Sequence, residues 1–152
     1  MSRVLILVGS KSDMEYARKA ADTLEGFGVE YQLEVSSAHR KPEYTKRLAG
    51  EAESSGFGVI IALAGYAAAL PGFAASVSKL PVIGVPLPTS DLKGVDAALS
   101  IMQMPGGVPV ASMGIGIAGA KNAALMAIRI LSLQDPNLSD KLTEYIESQA
   151  KG

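Results

Sequence analysis

Val4–Val8 reads VLILV, and Gly9–Asp13 follows at once as GSKSD. Five apolar residues without alternation fit a parallel strand covered on both faces. The polar turn then opens a helix in which Ala17, Ala20, Ala21, Leu24 and Phe27 recur at helical spacing, until Gly26 and Gly28 stop it. Strand, polar turn and helix keep this order down the chain. Val29–Val35 alternates strictly, with Val29, Tyr31, Leu33 and Val35 set against Glu30, Gln32 and Glu34, as on a half-buried edge strand. Ser36–Lys41 is a loop, and Pro42 suits the first turn of a helix that carries Tyr44, Leu48, Ala49 and Ala52 and ends near Ser55–Gly56.

Val59–Leu63 (VIIAL) and Pro81–Val85 (PVIGV) are further apolar strands, and Val108–Ser112 is a short fifth. A short helix runs to about Ser78, and another holds Val95, Leu99, Ile101 and Met102. Two more, Ala120–Leu133 and Pro136–Gln149, close the chain. Such alternation predicts an α/β domain with a parallel sheet and right-handed crossovers. The expected architecture is a three-layer, flavodoxin-like single domain over 1–152, with strand order 2-1-3-4-5 and an added C-terminal helix. A ligand crevice then lies at the carboxyl ends of the strands, beside the first and third.

Composition narrows the function. The 152 residues fit one domain, and 14 Lys+Arg against 15 Asp+Glu give no electrostatic footprint for nucleic acid. With aromatics at 5% and no Trp, stacking platforms for single strands are also lacking. Absence of Cys removes disulfides, thiolate nucleophiles and thiolate metal sites. Met1–Lys11 lacks the architecture of a signal peptide, so a cytoplasmic location is expected. The uncharged stretches Ser54–Ser78 and Ala97–Ala120 are broken by Pro71, Pro105 and Pro109, and read as buried strand–loop–helix units rather than membrane spans.

His39 is the only His, hence the only side chain whose ordinary pKa lies near neutrality. It sits in a strand-to-helix loop with Ser37 and Arg40. A proton-transferring imidazole beside a phosphate-binding guanidinium is a coherent pair at a crevice rim. Gly9–Asp13 fits an anion or ribose site at a helix start and equally an ordinary turn with Asp13 or Ser12 as cap. Ala64–Gly72 (AGYAAALPG) offers backbone N–H groups at a helix start near Pro71, or simply tight packing. Gly114–Gly119 is a literal G-x-G-x-x-G, yet no strand and acidic residue follow it as a dinucleotide site requires. A lone His without a ligand set predicts no metal site. The Ala120–Leu133 helix is apolar nearly all round, which predicts subunit contacts along it.

Taken together, Gly9–Asp13 (GSKSD), Ser37–Pro42 (SAHRKP), Leu70–Gly72 (LPG) and Gln103–Val110 (QMPGGVPV) resemble the N5-carboxyaminoimidazole ribonucleotide mutase family of purine biosynthesis, in order and over nearly the whole chain. The resemblance implies a flavodoxin-like homo-octamer and a cofactor-free reaction on a small ribonucleotide. It moves a carboxylate from the exocyclic N5 to C4 of the imidazole, through aminoimidazole ribonucleotide and trapped CO2. Carried over by position, Ser10, Asp13 and Arg40 bind the ribose phosphate portion, and His39 shuttles the proton. Gly9, Ser37, Ala64, Gly65, Ala69 and Leu70 complete the pocket for base and carboxylate.

Bacterial mutases of this kind usually read GGAAHLPG where this chain has GYAAALPG over Gly65–Gly72, so Tyr66 replaces a Gly and Ala69 a His. That difference leaves direct carboxylation of aminoimidazole ribonucleotide by CO2, a lyase reaction, as an alternative. From a different class, a flavodoxin-like module binding a phosphorylated ligand or flavin needs no titratable group.

Overall fold

The computed structural model describes residues 2–152. Its five parallel strands are β1 (Arg3–Val8), β2 (Tyr31–Val35), β3 (Phe57–Ala64), β4 (Val82–Pro86) and β5 (Ala111–Ser112). They lie in the order β2-β1-β3-β4-β5, as the alternating pattern of the second strand requires of an edge. Six helices follow the strands: α1 (Met14–Gly26), α2 (Pro42–Gly50), α3 (Leu70–Val77), α4 (Val95–Met102), α5 (Ile117–Ser132) and α6 (Pro136–Lys151).

Side chains of the central strands point alternately to two cores. Val4, Ile6 and Val8 join Val59, Ile61 and Leu63 against Ala17, Ala20, Ala124 and Ile128, so α1, α5 and α6 cover one face. Leu5, Leu7, Ile60 and Ala62 turn the other way, onto Ala49, Leu70, Ala74 and Ile101. Continuous apolar strands thus serve both layers at once. The two uncharged stretches resolve accordingly, one into β3 and α3, the other into α4 and β5. Among the described residues no helix is long and apolar enough to cross a membrane.

Two expectations change. The fifth strand shrinks from Val108–Ser112 to Ala111–Ser112. Pro109 has no N–H to give to a ladder, and the chain pairs with β4 only at Ile83–Ala111 and Gly84–Ser112. The helix from Pro42 ends at Gly50, where glycine weakens the helical backbone. Irregular turns carry the chain on to Gly56, at φ +88°. Along part of α5 lies α6, with Leu138 and Leu142 buried in the same core as Ala123 and Ala127, while Ile117 and Met126 of α5 stay 44% and 37% exposed. Exposed apolar side chains also stand on α4, where Val95, Leu99 and Met102 are 56%, 49% and 57% exposed.

The glycines of Gly114–Gly119 prove structural in purpose. A Cβ on Gly119 would lie 1.6 Å from the Gly114 carbonyl oxygen, and Gly116 adopts φ +82°. The motif folds the start of α5 tightly against its own approach, and none of its residues lines the cavity described next.

Candidate active site

Loops leaving β1, β2, β3 and β4 meet at the carboxyl edge of the sheet and enclose a cavity of about 470 Å³, a size suited to a small ligand. Gly9, Ser10, Asp13, Ser37, His39, Arg40, Ala64, Gly65, Ala69 and Leu70 all line it. Every candidate residue read from the sequence therefore faces one space. The same walls include Ser12, Ala38, Tyr66, Ala68 and Thr89.

After β1, Ser10 caps a single 3-10 turn, Lys11–Asp13, accepting the Ser12 amide at 3.3 Å and sharing a hydroxyl–hydroxyl hydrogen bond with Ser12 at 2.9 Å. The cap expected from Asp13 or Ser12 thus belongs to Ser10, because the chain coils one turn earlier than the α-helical pattern suggests. Asp13 stands at the head of α1 and makes no cap hydrogen bond. It is only 5% exposed, and this burial raises its pKa above the ordinary carboxylate value. A desolvated carboxylate lining a cavity is an acceptor held ready for ligand hydroxyls.

The loop after β2 is fixed from below. Ser36 is fully buried, donates its amide to the Val8 carbonyl at 2.8 Å and hydrogen-bonds Thr45 through its hydroxyl. Thr45 in turn bonds the Lys41 carbonyl at 3.0 Å. Above this anchor, the Ser37 hydroxyl accepts the Arg40 amide at 3.1 Å, while the Ser37 carbonyl accepts that of Lys41 at 2.8 Å. The turn so closed presents His39 and Arg40, both exposed, at the cavity mouth.

Backbone dominates the third wall. A Cβ on Gly65 would fall 2.0 Å from Thr89 Oγ1, so the loops after β3 and β4 touch there. Tyr66 follows in the left-handed region at φ +54° and is 64% exposed; such a conformation costs a non-glycine residue about 1–3 kcal/mol. Ala68 is buried again, and α3 begins at Leu70 with Pro71 in its first turn. Its N-terminus has no side-chain cap, and Ala69 and Leu70 there line the cavity. Thr89 carried no signal of its own in the sequence. Only its place just beyond β4, at the carboxyl edge, points to it.

The sequence profile of the AIR carboxylase family matches residues 3–152. The chain belongs to the AIR carboxylase family. A relative from Saccharolobus solfataricus named N5-carboxyaminoimidazole ribonucleotide mutase is 54% identical over 147 residues, covering 97% of this chain and 92% of the relative. Another of the same name from Thermotoga maritima is 50% identical, over 97% of this chain and 85% of that protein. The crystal structure of Treponema denticola PurE superposes with a TM-score of 0.90 at 37% identity, covering 99% of this chain and 93% of that one. The flavodoxin-like arrangement of this AIR carboxylase family member is therefore matched over 99% of its length.

Proposed function

We propose that this chain is an N5-carboxyaminoimidazole ribonucleotide mutase of purine biosynthesis, an isomerase that moves a carboxylate from N5 to C4 of its substrate. The observation that carries the reading is the meeting of the sole His, an adjacent Arg and the Ser10–Asp13 turn around one cavity, in a member of this family.

Arg40 and the Ser10 hydroxyl hold the phosphate end, and the Asp13 carboxylate accepts from ribose hydroxyls. The carbamate N5–C bond breaks with its electron pair staying on N5. His39, as imidazolium, gives N5 a proton, which leaves aminoimidazole ribonucleotide beside CO2. C4 attacks that CO2 to form the new C–C bond, and the now neutral His39 takes the C4 proton. One imidazole serves as acid and then base, and ends as it began; proton transfer of this kind contributes roughly 10²–10⁴-fold. Amides at the head of α3 and the Gly65 backbone steady the carboxylate in flight. Ala64, Ala68, Ala69 and Leu70 keep water from CO2. The bond changes need only a proton carrier, which His39 supplies, so this reading calls upon no cofactor.

Residues 1–152 act as one catalytic domain in the cytoplasm, assembled as a homo-octamer through surfaces that include the apolar face of α4. Supplying N5-carboxyaminoimidazole ribonucleotide in one arm, and aminoimidazole ribonucleotide with bicarbonate and CO2 in the other, tests the reading. Fast conversion in the first arm supports the mutase. Conversion confined to the second makes the enzyme a carboxylase of the lyase class, and conversion in neither defeats both.

A further inference from the structure

Tyr66 occupies an uncomfortable place. Its backbone is held at φ +54°, a region that glycine enters freely and an aromatic residue enters under strain. The loop cannot relax around it, because Gly65 is wedged against Thr89 on one side and Ala68 is buried on the other. Little packing repays this, since the side chain is 64% exposed. Tyr31, Tyr44 and Tyr145 engage their hydroxyls with Glu25, Glu34 and Gln149 and Tyr16 packs against the core, whereas Tyr66 has neither a hydroxyl partner among the described residues nor a place in a core cluster. What the position does give is a place in the cavity wall shared with His39 and Leu70. Strain kept where it does nothing for the fold points to the ligand.

We propose that Tyr66 is the cover of the reaction chamber: its ring, in the cavity wall that it shares with His39 and Leu70, closes over the transferring carboxyl group and keeps CO2 in place until C4 captures it. This rests on the mutase reading above. Cleavage of N5–C yields CO2 and, after N5 takes a proton, aminoimidazole ribonucleotide. If CO2 departs before the C4–C bond forms, no C4 carboxylate is made and the nucleotide leaves decarboxylated. A missing cover thus changes the partition of products more than the first bond cleavage. A merely structural role would leave that partition alone.

The test compares wild type, Tyr66→Gly and Tyr66→Phe by thermal melting and by the ratio of aminoimidazole ribonucleotide to C4-carboxylated product formed from N5-carboxyaminoimidazole ribonucleotide, after subtraction of the enzyme-free reaction. Glycine relieves the strain, so Tm rises by about 2–4 °C while the decarboxylated share increases severalfold. Phenylalanine keeps the ring and restores the low share. A Tyr66→Gly enzyme with the wild-type ratio overturns the cover, as does one whose Tm falls along with all its activity. A wild-type enzyme that converts no ribonucleotide overturns the mutase reading itself, a result separable from either.

Discussion

Gly65 and Thr89 touch so closely that a single methyl group cannot come between them: a Cβ on the first would sit 2.0 Å from Oγ1 of the second. This contact ties the loop after β3 to the loop after β4 and fixes the width of the cavity between them. Gly65→Ala forces the Thr89 side chain out of its position, and overpacking of this kind costs about 1–3 kcal/mol. In a Thr89→Ala background most of that cost disappears. Chemical denaturation of the two single variants and the double checks this through a coupling energy of about 1 kcal/mol or more. Additive effects would mean that the loops are not joined there.

His39→Asn preserves the turn closed by Ser37 and Arg40, since the 3.1 Å hydrogen bond uses only the Ser37 hydroxyl and the Arg40 amide. Nucleotide affinity by calorimetry stays within a few-fold, while turnover drops by at least about 10². Near-normal turnover would remove His39 from the proton relay.

Asp13 links stability to pH. Burial raises its pKa, so the native state holds its proton more tightly than the unfolded chain does. The charged carboxylate therefore costs stability in full above the raised value, and this cost fades as pH falls through the window towards the ordinary value of 3.8. Asp13→Asn removes the penalty: Tm rises at pH 7, and the advantage over wild type narrows as pH falls through that window. Binding moves oppositely. Loss of a charged acceptor weakens ribonucleotide binding by about 10–100-fold, from 1.5–3 kcal/mol per charged hydrogen bond. Melting curves against pH together with calorimetry separate the two effects.

Thr45 supports the His39 loop without reaching the cavity. Both Thr45 and its hydroxyl partner Ser36 are completely buried. Thr45→Val keeps the shape but orphans the Ser36 hydroxyl, at about 1–3 kcal/mol. Urea denaturation reads that loss, and KM rises as the loop carrying His39 and Arg40 loosens.

The row Val95, Leu99 and Met102 occupies one face of α4 at helical spacing and stands 49–57% exposed. With the proposed assembly running through this face, Leu99→Glu lowers the mass seen by light scattering towards that of the single 15.7 kDa chain. An unchanged mass would move the interface elsewhere.

Much of this was legible in the chain itself. Period and punctuation separate strands from helices, so VLILV and VIIAL declared buried central strands and the alternation after Gly28 declared the edge. Strand-ending loops must share one edge of a parallel sheet, which is why residues as distant as Gly9, His39 and Leu70 could be assigned to one crevice before any coordinates. Their neighbours were harder to read. Thr89 looks like any loop threonine until Gly65 is found against it, and the apolar circumference of α5 does not by itself say which part of it α6 covers. Sequence determined which groups were available and which end of the sheet they reached, because those follow from local periodicity and chain direction. Only tertiary structure decided which side chains touch, that Asp13 is desolvated and that Tyr66 is strained, because burial and close contact arise between segments remote in the chain.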